Sequence, residues 1–294
     1  MIRSPIFSGA KVDSVVYLFC VDLGTGAYRF DGSSFFKENM TSGSWEGVPD
    51  TATALSGYAY LFSLPNATSG SVVTCTYKNG VKTNKGAQTE SLDGGKITNQ
   101  SSTAAWITGG QSIWPNSSLS VFSSMRKFVS TSDTFTNNYA MLSNRRSHFT
   151  AYNSASNNLF NGGGYSTHSN AQVAQTAVNS LERLDLTSLS VYTVSVSSAS
   201  DMTDGGTAQI GNDCYLFGSA SGGTSITKLS SSGTISSTGV WFAFSAKGSA
   251  ACAWSSTCYV FSYMNGIHTF NGTTLASVGV NAYTEGQGYA VAAL

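Results

Sequence analysis

A recurring triplet constrains this chain more than any other feature. Tyr17-Leu18-Phe19 returns as Tyr60-Leu61-Phe62, Asn158-Leu159-Phe160, Tyr215-Leu216-Phe217 and Tyr259-Val260-Phe261, with Ser112-Ile113-Trp114 as a weaker member. The six starts lie 43, 52, 46, 57 and 44 residues apart, and the step from 259 through residue 294 back to 17 is 52. These intervals use up the whole chain, so the sequence predicts one domain of six repeats, residues 1–294.

Each triplet follows a small-residue segment and a tight turn. These segments are Thr51 to Leu55, Thr103 to Ile107, Phe149 to Tyr152, Thr207 to Ile210 and Ala250 to Trp254. A second hairpin comes after each triplet: Tyr28 to Phe35, Thr76 to Val81, Arg126 to Phe135, Glu182 to Tyr192, Thr227 to Ile235 and His268 to Leu275. Several of these turn on Asp-Gly or Asn-Gly, which tolerate the positive φ of primed turns. Only Asn170 to Leu186 could hold a helix.

Four strands per repeat of about fifty residues predict an all-β, six-bladed β-propeller with antiparallel blades. The expected blades are 12–50 plus 286–294, then 51–100, 101–147, 148–204, 205–247 and 248–285. Inner strands converge on the axis, where space is least, so the Ala-rich strand of each repeat is placed innermost and the triplet strand second. The missing sixth inner strand is found at Gly288 to Leu294. Pairing it beside the first repeat would close the ring and remove open sheet edges.

Composition narrows the function. Charged residues are 10%, against a usual quarter, while Ser (49), Thr (31) and Gly (31) are abundant. Fifteen basic residues balance fifteen acidic ones, which disfavours nucleic acid as a partner. No run of eighteen apolar residues predicts membrane insertion, and Met1 to Pro5 lacks the apolar stretch of a secretory leader. The five cysteines are odd in number, and Cys252 and Cys258 are the pair that a short hairpin would set opposite each other.

His148, His168 and His268 sit in separate repeats, and Asp201 to Gly206 lacks a bidentate Glu, so neither metal nor cofactor is expected. Five glutamates (Glu38, Glu46, Glu90, Glu182 and Glu285) offer no evident carboxylate pair for glycoside hydrolysis. No Gly-x-Ser-x-Gly elbow occurs. Arg145-Arg146 and Lys78 to Lys85 read as isolated, solvated basic spots.

Loops joining strands two and three, and those joining blades, share one face. There they are long and polar: Met40 to Pro49, Leu64 to Gly70, Gln88 to Gln100 and Asn161 to Ser180. Such loops on a rigid scaffold commonly carry recognition. Trp45, Trp114, Asn116, Tyr165, His168 and Asn170 supply aromatic platforms and polar donors suited to sugars or protein surfaces.

Gly162-Gly163-Gly164 after Phe160, and Gly218 to Gly223 after Phe217, resemble the glycine pairs that follow the second strand in kelch-like propellers. Gly109-Gly110 falls before its anchor in this reading. The hydroxyl-rich alternation of Thr224 to Ile235 resembles repeats of bacteriophage tail and surface proteins. The resemblance implies a non-enzymatic virion component, assembled in the host cytoplasm. Its partners would be other virion proteins and host-surface carbohydrate. A carbohydrate-active propeller enzyme is the alternative.

Overall fold

A computed structural model of the chain describes residues 15–20, 26–32, 34–39, 51–65, 72–88, 93–112, 120–169, 174–195, 205–219, 221–246, 248–254, 256–262, 265–279 and 288–293. These form six four-stranded antiparallel sheets. In the first blade are β1 (Val16–Cys20), β2 (Gly26–Phe30) and β3 (Phe35–Asn39); the second holds β4 (Thr51–Leu55), β5 (Tyr58–Pro65), β6 (Val72–Lys78) and β7 (Val81–Gln88). The third holds β8 (Lys96–Ser101), β9 (Ala104–Thr108), β10 (Ser124–Val129) and β11 (Thr134–Ala140), and the fourth β12 (Phe149–Asn153), β13 (Asn158–Gly162), β14 (Leu181–Asp185) and β15 (Ser190–Val194). The fifth is β16 (Gly206–Ile210), β17 (Asp213–Ser219), β18 (Ser225–Leu229) and β19 (Ile235–Trp241); the sixth is β20 (Ala250–Trp254), β21 (Thr257–Ser262), β22 (Gly266–Phe270) and β23 (Leu275–Ser277). Last comes β24 (Gly288–Ala293), which returns to pair antiparallel with β1, Val16 opposite Ala293 and Phe19 opposite Ala290.

Neighbouring inner strands touch in the order β24, β4, β8, β12, β16, β20 and back to β24. Six blades therefore stand in a closed ring, sealed by the C-terminal strand as the repeat pattern predicts. Among the described residues the one helical piece is a 3-10 turn at Ser221–Gly223. Residues 174–186 contain no helix: Leu181–Asp185 is a strand, because its apolar residues pack between two sheets.

The alternation of each triplet strand explains the ring. Tyr17 and Phe19 pack toward the second blade with Ala59, Leu61 and Tyr77, whereas Val16 and Leu18 pack toward the sixth with Phe261 and Ile267. The same division gives one apolar wedge at every blade junction. Burial of each such Leu or Phe stabilises by ~1.5–3 kcal/mol.

The tyrosine of the triplet has a further task. It reaches the strand-three-to-four turn of the next blade. Tyr17 Oη bonds to Asn79, Tyr60 Oη donates to Asp133 at 2.9 Å, and the Tyr215 hydroxyl lies against the Gly272 turn. Phe160 stands at the same place, packed on the Gly233 turn of the fifth blade. Gly233 has φ +88, and a Cβ there would lie 3.0 Å from the Phe160 ring, so both backbone and space demand glycine.

The third blade departs from the sequence reading. Its innermost strand is the polar β8, not Thr103 to Ile107, which contributes β9 as strand two. Part of the expected Gln88 to Gln100 loop is thus inner strand, and the blade begins before residue 101. Ser112 lies in a buried turn after β9 and does not start an anchor strand; 113 and 114 lie outside the described residues. Trp106 is the true counterpart of the anchor tyrosines, paired with Lys127 as Tyr17 is with Arg29. Gly109-Gly110 consequently follows strand two, in the same place as Gly163-Gly164.

Cys252 and Cys258 do not face each other. A two-residue turn sets Cys252 opposite Tyr259 and Cys258 opposite Ala253, putting the two thiols on opposite sides of the sheet, and both are free.

Candidate functional site

Of the six candidate binding residues, Trp45, Trp114, Asn116 and Asn170 lie outside the described residues. The structure brings Tyr165 and His168 together on the loop face, but neither is presented freely to a ligand. His168 is 3% exposed, and its Nε2 is 2.8 Å from the Ser112 carbonyl oxygen. Tyr165 pairs through its backbone with Arg146 and with Ala177, and the Arg146 guanidinium lies 4.9 Å from its ring centre. Both residues fasten the fourth blade's long loop to the third blade. Ser169 completes the fastening: its N–H donates to Gln111 Oε1, and Gln111 in turn donates to Asp93.

Below this loop the junction of the third and fourth blades adds a buried polar layer to its apolar wedge. The segment leading into β12 passes between two glycine turns, Gly109-Gly110 and Gly163-Gly164. A Cβ on Gly109 would lie 2.6 Å from the His148 ring, and one on Gly164 would lie 2.5 Å from the Arg146 oxygen. Arg145 and Arg146 are therefore not solvated as the sequence suggested: they are 0% and 6% exposed. The reason is geometric, since those glycines let the chain dive into the junction.

Arg145 donates to the Gly163 and Ser180 carbonyls at 2.8 and 3.0 Å, to Ser180 Oγ at 2.7 Å and to Glu182 Oε1 at 2.5 Å. The second Glu182 oxygen accepts the Leu142 N–H at 2.7 Å. An ion pair so thoroughly bonded compensates its desolvation and fixes the blade-to-blade loop. His148 is 1% exposed, with Nε2 2.7 Å from Thr108 Oγ1 and Nδ1 without a partner. Burial, then the nearby Arg145 and Lys96, hold its pKa well below the ordinary value of 6.5. Thr150 Oγ1 and Asn161 Oδ1, cross-strand neighbours in the same junction, are likewise buried and unpartnered.

A cavity of about 220 Å³ follows the ring axis and touches this junction at Lys96, Thr98 and Thr150. It is lined further by Thr51 to Ala54, Gly205 to Gln209, Cys214 and Ser249 to Ala253, with Ile97, Asn99 and Ala151 beside the junction residues. Hydroxyls, amides, one ammonium and two thiols are present there, and no carboxylate occurs among the described lining residues. Among the described residues of the loop face, Arg145 and Glu182 are engaged with each other and Arg146 with Thr167. Sequence reasoning missed the Arg145–Glu182 pair because the two residues lie 37 positions apart; the one readable signal was the glycine turns on either side of Arg145.

No protein-family model matches the chain, and no curated protein is similar to it. Among solved structures it is similar to that of YjhT, with a TM-score of 0.63 over 90% of this chain and 97% of the other, at 12% identity. A likeness at that identity establishes the shared fold alone.

Proposed function

We propose that this chain is a non-enzymatic structural and binding component of a virus particle, a kelch-like propeller at a bacteriophage tail or capsid surface. Its role would be attachment to other virion proteins or recognition of host-surface carbohydrate. One observation carries the binding half of this reading. The buried ionisable groups beneath the loop face, Arg145, Glu182 and His148, are committed to locking two blades together. What the described residues of that face leave for a ligand is a hydroxyl-rich surface, which suits recognition better than bond cleavage.

Placement in a virion is supported by the low charge, the Ser/Thr/Gly richness and the bacteriophage-like alternation of Thr224 to Ile235. The glycine pairs after strand two in the third and fourth blades support the kelch-like description. The test has two arms. Particles purified from the source should contain the chain in fixed stoichiometry. The isolated protein, incubated with a panel of host-surface polysaccharides, should bind at least one without releasing new reducing ends. Appearance of oligosaccharides would instead establish the carbohydrate-active enzyme, and absence from particles would end the virion assignment.

A further inference from the structure

Two opposite blades carry the same three-residue rung at the rim. In the first blade Tyr17 of β1, Arg29 of β2 and Phe36 of β3 lie side by side in register. In the fourth, Phe160 of β13, Arg183 of β14 and Tyr192 of β15 do the same. The order of inner strands puts these blades three places apart in a ring of six, hence on opposite sides of the axis.

In each rung the guanidinium rests on the outer aromatic ring, at 5.7 Å for Arg29 over Phe36 and 5.1 Å for Arg183 over Tyr192. Those outer rings are 41% and 43% exposed. Neither arginine has an ion-pair or hydrogen-bond partner among the described residues, and both Nε atoms are buried and unpartnered. Glu38 accepts from Tyr77 Oη and Gly80 N–H, and Asp185 accepts from the N–H groups of Thr187 and Ser188 while acting on Arg183 through its charge without touching it. The equivalent position is cationic in two further blades: Lys127 in the third, with no ion pair among the described residues, and Lys228 in the fifth. In the fifth blade Asp213 neutralises Lys228 at 2.7 Å.

An arginine pre-oriented by a ring, with no carboxylate in contact with its guanidinium among the described residues, is able to accept one through two parallel N–H donors. The exposed edge of the same ring offers the apolar contact that a pyranose face prefers. We propose that the Arg29–Phe36 and Arg183–Tyr192 rungs are two equivalent binding sites for the carboxylates of an acidic polysaccharide. This inference rests on the carbohydrate-recognition reading above and names its ligand class. Placed on opposite edges of the disc, the two sites would engage separate stretches of polymer and gain avidity.

The probe is polygalacturonate, with uncharged dextran and poly-L-glutamate as comparators, measured by biolayer interferometry and calorimetry on the full chain. Wild type should bind polygalacturonate in a salt-sensitive manner and dextran far more weakly. With a short oligogalacturonide the stoichiometry should be two per chain, falling to one in Arg29→Gln or Arg183→Gln. The double variant should bind about tenfold more weakly or worse, since a charge-assisted pair is lost at each site. Both arginines are half-buried at the rim, so unchanged circular dichroism and urea midpoint separate lost binding from lost folding. Undiminished binding by the folded double variant overturns the proposal. Binding of neutral host polysaccharides but not polygalacturonate also overturns it, while leaving glycan recognition intact. Equal, arginine-dependent binding of poly-L-glutamate would replace the glycan with an acidic protein and overturn the stated ligand.

Discussion

Glu182 is 2% exposed and touches Arg145 at 2.5 Å, so removing either partner strands a charge inside the protein. Arg145→Ala should cost ~3–5 kcal/mol in urea denaturation, whereas the paired Arg145→Met/Glu182→Leu change should cost markedly less. A small loss for Arg145→Ala would mean the junction is wetter than its burial indicates. His148 makes a second residue-scale prediction. Its folded pKa lies below the unfolded value, so the protonated form is disfavoured in the native state, and stability is complete above about pH 6.5 and declines as pH falls below it. The slope should be about 1.4 kcal/mol per pH unit until the folded value is reached. His268, half-buried, shifts in the same direction, so the informative quantity is the difference between wild type and His148→Gln in urea midpoint from pH 7.5 to 5.5. An identical slope in the two would remove His148 as the cause.

At the scale of elements, what could be read in the sequence follows the physics of each strand. Apolar triplets and Asn-Gly turns have strong local signatures, so five inner strands and all six outer hairpins are legible without coordinates. The third inner strand, Lys96-Ile97-Thr98-Asn99-Gln100-Ser101, has no alanine and was hidden by Ala104-Ala105 immediately after it. Ala105 is small for another reason: it occupies the strand-two position that Ala59 has in the second blade, each inside the wedge with its preceding blade. The anchoring of Tyr165 and His168 was not legible either, because Arg146 and Ser112, which hold them, lie 19 and 56 positions away in the chain. The latch between anchor aromatic and following turn gives an element-scale prediction. Gly233→Ala meets both a positive φ and the Phe160 ring, while Gly239→Ala meets a positive φ of 74 in open space. Gly233→Ala should therefore be the more damaging by about 1 kcal/mol or more. Equal losses in thermal denaturation would show that strain alone, without the latch, sets the cost.

For the whole molecule, stability depends on a ring with no free end among its sheets. Every wedge is shared by two blades, so a blade that detaches exposes apolar surface on both sides. Among the described residues, the β1–β24 pairing is the strand ladder that closes this cycle, and its partners lie more than 260 residues apart. Deleting residues 288–294 removes an inner strand from the first blade and leaves β1 as an unpaired edge facing the axis. The loss should exceed what six ordinary strand residues contribute, because β24 touches the inner strands of both the sixth and the second blades. Intact protein should unfold in one urea transition seen alike by far-UV circular dichroism and by tryptophan fluorescence, since Trp106 and Trp254 stand in opposite blades of one cooperative ring. The truncated chain should show separated transitions or aggregate. If truncation merely shifts a single sharp transition by about 1 kcal/mol, closure by β24 is not what makes the ring cooperative.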